Sequence, residues 1–250
     1  MDNQKDKNEI DLSIITISYE INSDLIRCLK SCKFLKISVE HILVFPQKEK
    51  QHALIKFGNK YKIYFDQSIG IYNAINLGLK NSKGKKILIL HGDNFLTCNG
   101  PELIEKNIHH SNIQFSCHYI LKDKTKKFLF PKINFLNLLF GLYPPHPGLI
   151  FQKSDYDDLN YYDENFKICS DFDFYLKIYK SNFIIKYIKE DIICTPLGGI
   201  SSSGLKSVFS IIIERWQILS KEYWISTPLL PATILIGYII KLVDRRFKFN

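Results

Sequence analysis

The chain has 250 residues, with 34 Lys plus Arg against 25 Asp plus Glu, a formal charge of +9. That length suits one large α/β domain or two small ones, and 46% hydrophobic with 24% charged residues excludes wholesale disorder. A mean hydropathy of −0.08 excludes a polytopic membrane protein and leaves three anionic partners for the positive excess: nucleic acid, a membrane surface or a phosphate-bearing substrate.

Residues 1–11 form a polar leader, MDNQKDKNEID, of net charge −2 and without an apolar stretch, so no export signal is expected. Leu12 to Ser18 is a β-branched run without charge, the pattern of a buried parallel strand. Asn22 or Ser23 can cap the following helix, whose Leu25, Ile26, Leu29 and Cys32 recur at helical spacing. Glu40 to Phe45 reads as a second strand stopped at Pro46, residues 48–57 as a polar helix, and Tyr61 to Phe65 as a third strand. Gly70 to Lys80 places Ile71, Ala74, Ile75, Gly78 and Leu79 on one helical face, and Lys86 to His91 is a fourth buried strand. Strand and helix alternate with short connections through residue 91, which predicts a parallel sheet covered by helices.

After residue 112 the pattern becomes mixed or antiparallel, with strands expected at Ile113–Leu121, Lys126–Phe130, Gly148–Phe151 and Phe183–Ile188. Helices are expected at Ser170–Lys180 and Ser207–Tyr223. The expected partition is the leader, a catalytic-size domain over 12–204 and a helical extension over 205–250.

Ligands of open α/β sheets bind beyond the carboxyl ends of the strands. That rule points to Ser18, Tyr19 and Glu20, to Phe45, to Asp66 and to the segment His91-Gly92-Asp93-Asn94. A carboxylate after an apolar strand, beside a glycine, can hold a hard divalent ion, Mn²⁺ or Mg²⁺; ordinary turn chemistry is the alternative. Ser170-Asp171-Phe172-Asp173 opens a helix, where carboxylates act as caps or as a general base; Ser170 can cap while Asp171 faces a cleft. His146, in the rigid Pro144–Gly148 loop, can meet phosphate or metal or simply be solvated, and Gly198–Gly204 can close over a phosphate or serve as a linker. No Walker A loop and no G-x-G-x-x-G follows a strand. The six cysteines read as reduced cytosolic thiols; zinc on Cys98, His109, His110, Cys117 and His118 is the alternative, although no C-x-x-C occurs.

Taken in order, these segments resemble the inverting family 2 glycosyltransferases of the GT-A fold. Leu12 to Tyr19 is similar to the family's opening strand, and Asp66-Gln-Ser-Ile-Gly-Ile-Tyr-Asn-Ala-Ile-Asn-Leu-Gly-Leu79 to its "(E/D)-x-D-x-G-I-Y-D-A-M-N-x-G" segment, common in colanic-acid-type enzymes of surface polysaccharides. Gly84 to Asn94 resembles the segment ending in the family's metal-binding acids, His146 the "H-(Q/P)-(A/G)" segment, Asp171 to Asp173 the "S-D-Y-D" segment, and Gly198 to Ser201 "G-G-(I/V)-S".

The resemblance implies a GT-A type, Rossmann-like, mostly parallel sheet flanked by helices. It further implies a nucleotide-diphosphate sugar donor, a divalent ion (Mn²⁺ or Mg²⁺) and a growing cell-surface glycan or lipid-linked acceptor. By the same resemblance Asp171 is the base, Asp173 and His146 support it, and Asp93 with His146 holds the metal. Ser18, Tyr19, Glu20, Phe45, Gly70, Tyr72, Asn73, Asn76 and Asp93 then bind the donor.

Three departures stand out: Val44-Phe-Pro-Gln-Lys48 has no acid where "V-D-G-G-S-T-D-G-T" is usual, Ser68 replaces an Asp, and the acidic motif is thinned to Asp93. Base recognition by stacking on Tyr19 or Phe45 is the corresponding expectation. A non-catalytic nucleotide-sugar-binding protein of the same fold is the alternative.

Tyr223 to Ile240 is an 18-residue run without charge, interrupted by Pro228 and Pro231, and residues 241–250 carry a net +3. A helix after Pro231 is too short to span a bilayer, so 228–250 suggests peripheral contact with the cytoplasmic face of the inner membrane. Packing on the domain or a homodimer contact is the alternative. Residues 122–132 add a net +4, but no nucleic-acid motif accompanies them, and nucleic acid ranks last among the partners.

Overall fold

In the computed structural model, residues 9–67, 70–121, 124–128, 132–196, 205–223 and 236 are described. The chain divides into two compact units.

The first unit, residues 1–129, 145–162 and 184–197, carries the sheet. Strand β1 (Leu12–Ile17) is buried at every position, and it pairs in parallel with β2 (Val39–Pro46) on one side and β4 (Lys86–His91) on the other. Strand β3 (Lys62–Asp66) extends the parallel half beyond β2. Strands β5 (Phe95–Leu96), β6 (Asn112–Leu121), β7 (Lys124–Phe128), β8 (Leu149–Gln152) and β9 (Ile185–Pro196) make the mixed half. Among the described residues the order is β3-β2-β1-β4-β8-β6-β9-β5, with β7 paired to β6.

β-Branched and Leu side chains facing helices on both sides explain the uninterrupted apolar strands. On one face, Ile14 shares a core cluster with Cys28 of helix α1 (Ser23–Ser31), and Leu43 and Phe45 pack with Leu25, Leu29, Ala53 and Phe57. Ala53 and Phe57 belong to helix α2 (Lys50–Phe57). On the other face, Gly78 of helix α3 (Ile71–Lys80) brings its backbone so close to β1 that an added Cβ would meet Ile15 Cγ2 at 2.4 Å. Period-two alternation therefore sends Ile14 and Ile15 to opposite helical layers. Asn22 caps α1 as expected, its Oδ1 accepting the Leu25 N–H at 3.0 Å.

Helices α4 (Gly100–Asn107) and α6 (Lys153–Asp158) complete this unit and had no counterpart in the sequence reading. Strand β9 is longer than the expected 183–188. It continues through the charged run Lys189-Glu-Asp191 because β6 follows it in parallel across register shifts at Phe115–Cys117.

The second unit, residues 130–144, 163–183 and 198–250, contains helices α5 (Phe135–Leu139), α7 (Ser170–Lys180) and α8 (Leu205–Tyr223). The expected partition kept residues 12–204 together, yet α8 groups with two segments from inside that span. Its side chains explain why: Glu214 accepts the backbone N–H groups of Lys167, Ile168 and Cys169, and the Arg215 guanidinium donates to Tyr143 Oη at 3.4 Å.

Candidate functional site

At the sheet mouth, the chain leaves β1 at Ser18, whose N–H donates to Val44 O at 3.0 Å while its hydroxyl donates to Glu20 O at 2.7 Å. Tyr19 projects its ring into solvent, 72% exposed, with the Lys48 ammonium 3.5 Å from the ring centroid. Glu20 is exposed beside it. The end of β4 lies against the same turn. The Gly92 N–H donates to Ile17 O at 2.8 Å, and a Cβ at Gly92 would stand 2.5 Å from Ser18 Oγ, so only glycine allows the two strand ends to meet.

The buried Asn94 side chain organises the turn: its Oδ1 accepts the His91 N–H and its Nδ2 donates to Asp93 Oδ1, both at 3.1 Å. This leaves the Asp93 carboxylate exposed and held in orientation at the strand end. It has the oxygen chemistry a hard divalent ion requires. Among the described residues no three His, Cys, Asp or Glu side chains converge on one point. The fit of such an ion rests on this one carboxylate.

Behind this turn is an aromatic and imidazole cluster. His146 lies in a buried 3-10 turn, His146–Gly148, with its Nε2 hydrogen-bonded to Tyr162 Oη. Burial, reinforced by His91, pushes its pKa down to about 3; burial lowers His91 as well, against the opposing charge of Asp93. His146 is therefore neutral and enclosed, unlike the solvated loop side chain that was one sequence alternative.

Tyr162 is in turn fixed by Asn76, whose Nδ2 donates to Tyr162 O at 2.8 Å and whose Oδ1 accepts the Tyr162 N–H at 3.1 Å. Tyr72 stacks on the Tyr162 ring at 5.7 Å and 18°.

Two expected donor-binding residues need correction, and a third has a structural partner. Phe45 is 1% exposed and stacked on Phe57 at 6.1 Å, so its ring belongs to the core and cannot take a base. Asn76 is 3% exposed, with both amide atoms committed to the Tyr162 backbone. Tyr72, also buried, supports Tyr162 with its ring face. Asn73 is half-buried on the first turn of α3, and exposed Gly70 precedes that helix with φ 151°, a value glycine adopts freely. Ser68 and the Gly198–Gly204 loop lie outside the described residues.

In the second unit, Asp171 stands in the first turn of α7, its Oδ1 accepting the Phe172 N–H at 2.8 Å. Tyr143 Oη donates toward both carboxylate oxygens, 3.3 Å from each. Arg215, 5% exposed, places its guanidinium carbon 5.4 Å from the Tyr143 ring centroid and 5.3 Å from that of Phe172. Gly141 makes room for this cation: its φ is 65°, and a Cβ would come within 1.9 Å of Arg215 Nη1. Burial, then the Asp171 charge, raises the Tyr143 phenol well above its ordinary pKa, so it remains a donor to the carboxylate.

Ser170 does not cap α7, contrary to expectation. The acceptor for the backbone leading into the helix is Glu214, whose Oε1 takes the Lys167 N–H at 3.0 Å and whose Oε2 takes those of Ile168 and Cys169 at 3.0 and 2.8 Å. Asp173 is buried and paired with Lys177 at 2.9 Å one turn along. Lys48, Tyr143, Tyr162, Glu214 and Arg215 were absent from the expected set. Each acquires its place from a partner distant in sequence or from an irregular turn, and no local motif marks it.

No family model matches the chain, and no curated protein sequence does. Solved structures do. A crystal structure of S. aureus TarS 1-349 superposes with a TM-score of 0.63 at 15% identity, covering 96% of this chain and 75% of that one. The fold is GT-A-like. TarS 1-349 in complex with UDP-GlcNAc matches with a TM-score of 0.63 at 16% identity over 96% and 74% of the two chains, and its complex with UDP with 0.59 at 17% over 85% and 70%. Against the longer TarS structure the same 96% of this chain spans 44% of the other. Likeness at these identities establishes the fold.

Proposed function

We propose that this protein is a glycosyltransferase, moving a sugar from a nucleotide-diphosphate donor to a hydroxyl of a cell-surface glycan or its lipid-linked precursor, with inversion. The observation carrying this reading is the exposed Asp93 carboxylate, held by Asn94 at the sheet mouth where Gly92 meets Ser18. It occurs in a fold shared with TarS structures that bind UDP and UDP-GlcNAc. A uridine diphosphate sugar is accordingly the first donor to test. The resemblance to the colanic-acid-type enzymes, carried by Asp66 to Leu79, supports the surface-polysaccharide setting.

In this reading Tyr19 stacks the base, with Lys48 adding positive charge on the ring, and Ser18 and Gly92 set how closely the two strand ends meet. Mn²⁺ or Mg²⁺ bound through Asp93 would offset charge on the departing diphosphate. Asp171 accepts the proton of the acceptor hydroxyl as that oxygen bonds to the anomeric carbon and the carbon–oxygen bond to the diphosphate breaks. Tyr143 holds the carboxylate through its hydroxyl, and His146 supports the mouth through Tyr162 rather than by direct exposure.

A donor-hydrolysis screen with and without Mn²⁺ tests this. Turnover of a uridine diphosphate sugar, raised by Mn²⁺, is the expected result. The thinned segment His91-Gly92-Asp93-Asn94 favours a second reading, a nucleotide-sugar-binding protein without catalysis. Tight binding with no turnover of any donor, acceptors included, would decide for it.

A further inference from the structure

The positive charge of the chain is concentrated in one stretch. Residues 21–61 carry eight Lys and Arg against three acids, a net of +5 within the +9 of the whole molecule. The fold gathers this stretch into one layer. Leu25 and Leu29 of α1 and Ala53 and Phe57 of α2 share a core cluster with Leu43 and Phe45 of β2, so both helices cover the same face of the sheet. Their outer sides therefore turn to solvent on the same side of the first unit.

The acids of the stretch are engaged. Asp24 pairs with Arg27 at 2.9 Å, the buried Glu40 with Lys62 at 2.6 Å, and Glu49 lies 3.5 Å from His52 Nδ1. Lys30, Lys33, Lys36, Lys56 and Lys60 are exposed, and no acid of the stretch pairs with them. Beside α1 the basic area ends at α4, whose Glu105 accepts the Lys36 N–H.

Apolar side chains stand among these lysines. Ile55 is 88% exposed, Phe34 72% and Leu54 47%. Ile55, two residues after the buried Ala53, lies about 200° around α2 from its inner side. Phe34 ends the 3-10 turn Cys32–Phe34 that follows α1. An anionic lipid surface offers phosphates to the lysines and an acyl boundary to the three apolar tips. Nucleic acid or an acidic glycan would match the lysines but gives aliphatic tips no apolar phase, and a second copy would bring the same cations.

We propose that the outer side of the α1–α2 layer docks on an anionic membrane surface, with its lysines at the phosphates and Phe34, Leu54 and Ile55 in the headgroup boundary. Such docking requires nothing of the transfer chemistry proposed above.

The full chain should sediment with vesicles of equimolar phosphatidylglycerol and phosphatidylcholine, less at raised salt, and not with phosphatidylcholine alone. Amide hydrogen exchange in the bound protein should slow over residues 22–36 and 48–60. Lys56→Glu with Lys60→Glu should weaken partitioning at least about tenfold, since each basic side chain near the surface adds its own attraction. Lys80→Glu with Lys83→Glu, the same change in net charge at the end of α3, should weaken it far less. Phe34→Ser with Ile55→Ser should also cost at least about tenfold, because interfacial binding scales with buried apolar area.

Equal losses from the two lysine pairs would overturn the proposal, as would exchange protection confined to other segments or equal binding to neutral vesicles. A Phe34→Ser, Ile55→Ser variant that partitions like the unaltered chain would also overturn it and leave the lysines to a soluble polyanion. Protection of α1 and α2 that grows with protein concentration without lipid would assign the layer to a second copy instead. Should a variant fail to fold, the exchange pattern of the unaltered chain on vesicles decides alone.

Discussion

Asp93 and Asp171 illustrate how position makes a carboxylate useful. Each is oriented by a neighbour one residue away, Asn94 Nδ2 for the first and the Phe172 N–H for the second. Asp171→Asn keeps the size and the Phe172 contact but cannot take a proton. Turnover should fall by about 10²- to 10⁴-fold, the range of a lost general base, with the melting temperature nearly unchanged. Asp93→Asn should instead weaken Mn²⁺-dependent donor binding, read by calorimetric titration with and without the metal; equal affinity in both would remove Asp93 from the metal.

The positions of both acids were legible because a carboxylate after an apolar strand or at a helix start is a local pattern. Phe45, Asn76 and Ser170 were not. What decides them are Phe57, Tyr162 and Glu214, at 12, 86 and 44 residues' distance along the chain.

At the scale of elements, two contacts control how helices sit within their own units. Gly78 lets α3 settle on β1, and Gly78→Ala forces a methyl into Ile15, an overpacking expected to cost about 1–3 kcal/mol in a urea titration. Glu214 gathers three backbone donors ahead of α7, and Glu214→Ala leaves them without that acceptor. A loss of about 2–4 kcal/mol is expected, because hydrogen bonds to a charged group are the stronger kind and these three share one carboxylate. Glu214→Gln, which retains one acceptor oxygen, should fall between.

The elements themselves were the most legible part of the chain. Helices at 70–80 and 170–180 and the strand at 86–91 match within a residue, since uninterrupted periodicity is a direct image of burial. Strand β9 exceeded its expectation because pairing with β6, and not its own polarity, carries it past Asp191.

For the molecule as a whole, acid should be destabilising first through its buried histidines. Burial holds His41 down to about 3, beside Thr16 Oγ1 at 2.8 Å, against 6.5 when unfolded. A depressed histidine contributes stability that is full above about 6.5 and is lost as pH falls toward 3, because the unfolded chain binds the proton first. His146 acts with the same sign. Glu40 adds a later loss: burial alone would raise it, but Lys62, Ser13 and the Lys83 N–H hold it below its ordinary value, so its contribution disappears only below about 4.5. The urea midpoint should therefore drop between pH 7 and pH 5, and His41→Gln should flatten that drop while leaving the decline below pH 4.5 in place. A profile unaltered by His41→Gln would transfer the effect to the other buried imidazoles.

By itself the sequence determined the alternating strands and helices and put one carboxylate after a strand and one at a helix start, because apolar periodicity and end positions are properties of neighbours along the chain; the GT-A-like sheet it implied through a family resemblance, and the fold bears that out. Only the tertiary structure decided that Phe45 is core, that Asn76 clamps Tyr162, that His146 is enclosed, and that α8 belongs with α5 and α7 while exposing Phe209, Ile213 and Trp216. Those assignments depend on desolvation and on partners tens of residues away, and periodicity cannot distinguish an apolar face that is covered from one that is left open.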